Sequence, residues 1–113
     1  MGFVDLKSRV EDLSAWSSIV LSQVAGANIK VLKMDAAPYP EEIHNFPESL
    51  LVLEGHLKLI VEQEPITLSA GQMYTVPEGV PHAVAQGSSG TLVIFDAAPP
   101  THISPRLAKS FGA

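Results

Sequence analysis

Hydrophobic residues along the chain follow two spacings. From Val4 to Trp16 they stand mostly three or four positions apart, which predicts a short helix or an irregular lead-in. From Ile19 onward the pattern changes to short runs rich in β-branched residues, first at 19–24 and then at 29–34. The second run alternates apolar with basic residues, and Gly26 lies between the two, so these runs predict an opening β-hairpin.

Residues 35–47 interrupt this pattern with three prolines and an acidic pair. Because proline has no backbone N–H to donate, this segment is predicted to be a loop or an edge strand. Two further apolar runs follow within 49–63 and meet at Glu54–Gly55. Glycine there favours a tight turn, so the sequence predicts a second hairpin.

The second half of the chain continues with short apolar runs separated by turn residues. This spacing, without an intervening helical pattern, is typical of an all-β barrel or double sheet. At 113 residues the chain predicts one domain, 1–113, with a core at about 19–96 and a proline-rich tail at 97–113. The runs are ITLS, QMYTV, HAVA and TLVIFD.

Composition narrows the classes of function. The chain has no cysteine, so disulfides and thiolate metal ligands are excluded. Seven basic and twelve acidic residues give a net charge of −5, without the basic clusters that bind nucleic acid or anionic membranes. No apolar run approaches the roughly 20 residues that cross a bilayer, and the N-terminus does not look like a secretory signal. We therefore expect a cytoplasmic protein with neither nucleic acid nor membrane as a partner.

One spacing stands out among the turns: Gly71, Pro77, Gly79 and His82. Gly71 turns the chain into a strand, Pro77 ends that strand, and Gly79 permits the reversal before the next one. His82 then enters the following strand at a fixed place. This pattern resembles the second conserved motif of the cupin superfamily.

The resemblance covers about Val31 to Asp96 and is closest to small single-domain cupins of the mannose-6-phosphate-isomerase-like type. It implies a cupin-type double-stranded β-helix, or jelly-roll barrel. Metal-binding cupins have two histidines and a glutamate in the first motif, ahead of a glycine that corresponds here to Gly55. With the shorter family spacing the resemblance implies that the metal-ligand positions are Glu42, His44, Glu48 and His82, with Glu42 replacing a histidine.

The longer family spacing would instead select Glu41 and Ile43, and isoleucine cannot bind a metal. Each candidate also has a purely structural interpretation. His82 could bond to backbone at the barrel rim, and His44 could be solvated in its loop. Glu42 could belong to a solvated acidic turn, and Glu48 could be a surface charge. His56 and His102 are both expected at the surface.

Two imidazoles and two carboxylates would suit manganese, iron(II), zinc or nickel. One hypothesis is a metal-dependent, isomerase-like enzyme acting on a sugar or related polar metabolite, in which Glu42 or Glu48 could also be a general base. The alternative is a non-catalytic binding or sensing cupin with a degenerate metal site. The sequence assigns no catalytic residue, and open sheet edges favour a homodimer.

Overall fold

The computed structural model describes residues 2–97 as an all-β protein with one short helix. Within this range no helix is long and apolar enough to cross a membrane. The elements are α1 (Leu6–Val10), β1 (Ile19–Val24), β2 (Ala27–Met34), β3 (Tyr39–Glu42), β4 (Glu48–Val61), β5 (Glu64–Ser69), β6 (Met73–Val76), β7 (His82–Val84) and β8 (Ser89–Ala97).

All pairings between these strands are antiparallel, and they form a jelly-roll barrel. The main path through the sheet is β1-β2-β8-β4-β7-β3, with β5 and β6 also paired to β4. The first hairpin is confirmed as β1–β2, and the proline-containing segment supplies the edge strand β3. The predicted tail lies outside the described residues except for Ala97, which ends β8.

The hairpin predicted at Glu54–Gly55 is wrong, because β4 runs continuously through both residues. It pairs with β8 on both sides of Gly55, with a register shift between Val52 and Glu54. Gly55 has φ 81° and lies directly opposite Gly90, so its positive φ serves a bulge in which two backbones approach closely. As a result β4 continues past the bulge, and its second half pairs with β5 and β7.

Two apolar layers cover the faces of the sheet. The interior of the barrel is filled by aliphatic side chains of β2, β4 and β8, among them Leu32, Val52 and Leu92. On the outer face, Val10 of α1 packs against Val31 and Val93. The helix therefore covers part of the outer face of the sheet.

Candidate functional site

Four side chains meet where three strands begin or end. Glu42 is the last residue of β3, Glu48 the first of β4 and His82 the first of β7, while His44 lies between β3 and β4. Glu42 and His82 are paired residues of neighbouring strands. All four residues singled out in the sequence are thus brought together, while Ile43 is 62% exposed and Glu41 is also exposed.

Backbone hydrogen bonds of the turn before β7, which contains Pro77 and Gly79, fix this arrangement. Gly79 has φ 78°, and its N–H donates to the carbonyl oxygen of His44 at 2.9 Å. The N–H of Val80 donates to the carbonyl of Pro77 at 3.3 Å, closing the turn. The turn that the sequence motif predicted therefore also fixes the loop that carries His44.

Both ring nitrogens of His82 face hydrogen-bond acceptors. Nδ1 lies 3.1 Å from the carbonyl oxygen of Val80, and Nε2 lies 3.1 Å from Oε1 of Glu48. A carbonyl and a carboxylate can only accept, so an ionised Glu48 requires a proton on each nitrogen. Burial alone would lower the pKa of His82, but the bonds to Glu48 and Val80 and the charges of Glu48 and Glu42 outweigh it and raise this pKa.

His44 has a different environment. Its Nε2 lies 3.2 Å from Oε1 of Glu42, which is off hydrogen-bonding direction, and 3.9 Å from Oε1 of Glu48, which is beyond hydrogen-bonding distance. The ring stacks on Phe46 at 4.8 Å between centroids, and 8% of the side chain is exposed. His44 therefore presents a buried nitrogen without a hydrogen-bond partner toward two carboxylates.

Comparison with known proteins agrees with the motif and the fold. Residues 32–98 match the family described as Cupin domain. The chain belongs to the cupin family. No match was found among curated protein sequences.

Two solved cupin-like structures illustrate the likeness. A cupin-2 domain containing protein from Shewanella frigidimarina is 28% identical with a TM-score of 0.67, covering 74% of this chain and 82% of that one. A candidate mannose-6-phosphate isomerase from Ralstonia eutropha is 17% identical with a TM-score of 0.71, covering 88% of this chain and all of that one. The second likeness shows the fold alone.

Many cupins bind a divalent metal, and the residues of this cupin fit one. The candidate donor atoms of Glu42, His44 and His82 all lie within 4.8 Å of one another. Two ligands of one zinc ion, each at about 2.1 Å, are separated by at most about 4 Å, so only a modest contraction is required. The unpartnered Nε2 of His44 is the atom that such an ion would satisfy.

A narrow cavity leads from this cluster into the barrel. Its volume is about 40 Å³. Glu42, Glu48 and His82 contribute polar groups to its lining, while most of its other lining residues are aliphatic or aromatic. Tyr39 and Trp16 are among these walls, and burial together with the charge of Glu42 raises the pKa of Tyr39, which keeps its hydroxyl protonated.

A second buried polar group of this cupin was missed by sequence reasoning. Nζ of Lys30 lies 2.7 Å from Oδ2 of Asp96, and their side chains are only 3% and 1% exposed. Oδ2 of Asp96 has no hydrogen-bond partner by geometry, so its contact with Lys30 is an ion pair. The other oxygen, Oδ1, accepts a hydrogen bond from the side-chain amide of Asn28 at 2.9 Å. Asp96 is the β8 partner of Glu48, which puts this pair beside the four-residue site.

The pattern of β2 contains the signal that could have revealed this pair. Lys30 shares its interior face with Leu32 and Met34, which are two and four positions further along the strand. Asp96 shares its face with Leu92 and Ile94 in the same way. Lys30 therefore lies on the interior face of β2, although its run alternates apolar with basic residues.

Proposed function

We propose that this cupin holds one divalent metal ion through His44, His82, Glu48 and Glu42 and interconverts a carbonyl and a neighbouring hydroxyl in a small oxygen-bearing metabolite. The observation that carries the proposal is the buried, unpartnered Nε2 of His44, which faces two carboxylates and a second histidine. A neutral imidazole without a hydrogen-bond partner is a suitable metal ligand and otherwise incurs a desolvation cost.

The bound ion would polarise the carbonyl of the substrate and lower the cost of removing a proton from the adjacent carbon. The residues of the chain supply orientation and proton transfer. Glu42 has 24% of its side chain exposed against 6% for Glu48, and both line the cavity. We assign the proton transfer to Glu42 because it is the more exposed of the two carboxylates, so a molecule in the cavity can reach it.

A second candidate function is binding without turnover. The direct contact of 3.1 Å between His82 and Glu48 supports it, because these two groups already satisfy each other without an ion. In that case the same cavity would hold a small ligand, and Glu42 would serve only as a hydrogen-bond acceptor.

Deuterium exchange separates the two candidates. Manganese-loaded protein in D₂O is incubated with hydroxyacetone, and proton NMR follows the loss of signal from the carbon that carries the hydroxyl. The enzymatic proposal predicts exchange that disappears in Glu42→Gln and after treatment with chelator. Binding of hydroxyacetone without exchange would support the second function and contradict the first.

A further inference from the structure

The walls of the cavity include an aromatic pair whose position is fixed by several contacts. The rings of Trp16 and Tyr39 lie 5.7 Å apart between centroids and are tilted by 47°. Both residues line the cavity together with Leu32 and Ile94. The lining of the cavity therefore combines the carboxylates and imidazole of the candidate metal site with flat aromatic and aliphatic surfaces.

Trp16 is held in an unfavourable backbone conformation. Its φ is 64°, a left-handed and strained value that a bulky residue adopts only where its surroundings enforce it. The N–H of Trp16 donates to the carbonyl of Lys33 at 2.8 Å, and its indole N–H donates to Oδ1 of Asp35 at 2.8 Å. These contacts orient the indole along the wall, although Trp16 lies in the lead-in before the first strand.

The charges around the cavity restrict what can bind there. Among the described residues that line it, none is lysine or arginine, so a phosphate group would find no permanently charged side-chain cation on these walls. Two carboxylates also neutralise a divalent ion formally, which disfavours an anionic head group. A neutral oxygen chelate with a flat apolar body matches both the polar and the apolar residues of this lining.

We propose that the ligand of this site is a small aromatic hydroxyketone, whose oxygens face the Glu42–His82 side and whose ring packs against Trp16 and Tyr39. The inference rests on the proposed metal site for the oxygens and on the aromatic pair for the ring. Trp16 thereby sets the specificity of the site, and a sugar phosphate is a poor fit. Burying a phenyl ring in place of a methyl group against aromatic walls favours binding by at least a factor of about ten.

Calorimetric titration tests the proposal with two ligands that share one head group. In manganese-loaded protein, 2-hydroxy-1-phenylethanone is expected to bind at least about tenfold more tightly than hydroxyacetone. Trp16→Leu should reduce this preference to threefold or less, while Trp16→Phe, which keeps a ring, should retain it. Phe3→Leu is the control, because Phe3 is 90% exposed and does not line the cavity.

Equal affinities for the two ketones, a preference unchanged in Trp16→Leu, or tighter binding of mannose 6-phosphate would each overturn the proposal. Thermal unfolding of each variant verifies that it is folded, and Tyr39→Leu, which removes the other ring of the pair, replaces Trp16→Leu if Trp16→Leu does not fold. A titration with manganese alone precedes the others. If the metal does not bind, the proposed function fails, and the same two ketones then test the aromatic wall in metal-free protein by the same criterion.

Discussion

Nε2 of His82 and Oε1 of Glu48 lie 3.1 Å apart. Glu48 is the first residue of β4 and His82 the first of β7, and β7 pairs with the last residues of β4. Nδ1 of the same ring donates to Val80, so Nε2 is the only nitrogen of His82 that can bind a metal. A proton held between His82 and Glu48 and a metal ion at the same nitrogen exclude each other. Metal affinity should therefore decrease as pH falls through the pKa of His82.

In chelator-treated protein, we expect NMR titration to give His82 a pKa above its ordinary value of about 6.5. Glu48→Gln removes the carboxylate that accepts from Nε2 and should lower this pKa. The signal of His56, whose Nε2 contacts the carbonyl of Gly87, serves as an internal reference. An unchanged titration of His82 in Glu48→Gln would show that the contact does not control its protonation.

The same pKa predicts how the stability of metal-free protein depends on pH. The folded-state pKa of His82 is raised above the unfolded value, so its stabilising contribution is complete below about pH 6.5. This contribution is lost as pH rises through the folded-state pKa. Urea unfolding at a series of pH values should show the loss in the wild-type protein and not in His82→Gln, and parallel profiles for the two proteins would refute the prediction.

The close approach of Gly55 and Gly90 predicts that a single added methyl group strongly reduces the free energy of unfolding. A Cβ at Gly55 would lie 2.0 Å from the carbonyl oxygen of Ser89. Gly55→Ala should therefore reduce the free energy of unfolding by about 3 kcal/mol or more, from backbone strain and overpacking together. Gly71→Ala is the matched control, because Gly71 also has a positive φ but nothing within 4 Å. Its cost should be only about 1–2 kcal/mol in urea unfolding, and equal losses would argue against the close contact.

The buried pair of Lys30 and Asp96 predicts a second large loss of stability. Lys30→Met leaves a buried carboxylate without its cation and should cost about 3–5 kcal/mol in urea unfolding. Lys7→Met removes a comparable but exposed contact to Glu54, at 3.4 Å, and should cost about 1 kcal/mol or less. Similar losses of unfolding free energy in Lys30→Met and Lys7→Met would show that burial does not increase the contribution of the Lys30 cation to stability.

Much of the fold follows from local sequence patterns, and the exceptions have physical causes. The turns at Gly71 and Gly79 were predicted and have positive φ, because only glycine adopts this conformation without strain. Gly55 was misassigned to a hairpin because a glycine in a bulge and a glycine in a turn look alike locally. Only its pairing with Gly90, 35 residues away, distinguishes them.

The site shows the same division between local and distant information. Glu42, His44, Glu48 and His82 could be selected from the spacing of the motifs, and the structure brings all four together. Trp16 could not, because its contacts join segments that are distant in sequence. Strand periodicity marks Lys30 and Asp96 as interior residues, but it does not show that they pair. The single-domain assignment, the homodimer and the cytoplasmic location stay predictions.

Isothermal titration of metal-free protein with manganese tests the metal site most directly. The account predicts saturation at one ion per chain, with affinity at least about 100-fold weaker in His44→Ala and in His82→Ala. His56→Ala should bind as the wild type does, because His56 contacts Gly87 and is not part of the cluster. Absence of saturable binding, or binding that both His44→Ala and His82→Ala retain in full, would contradict the account.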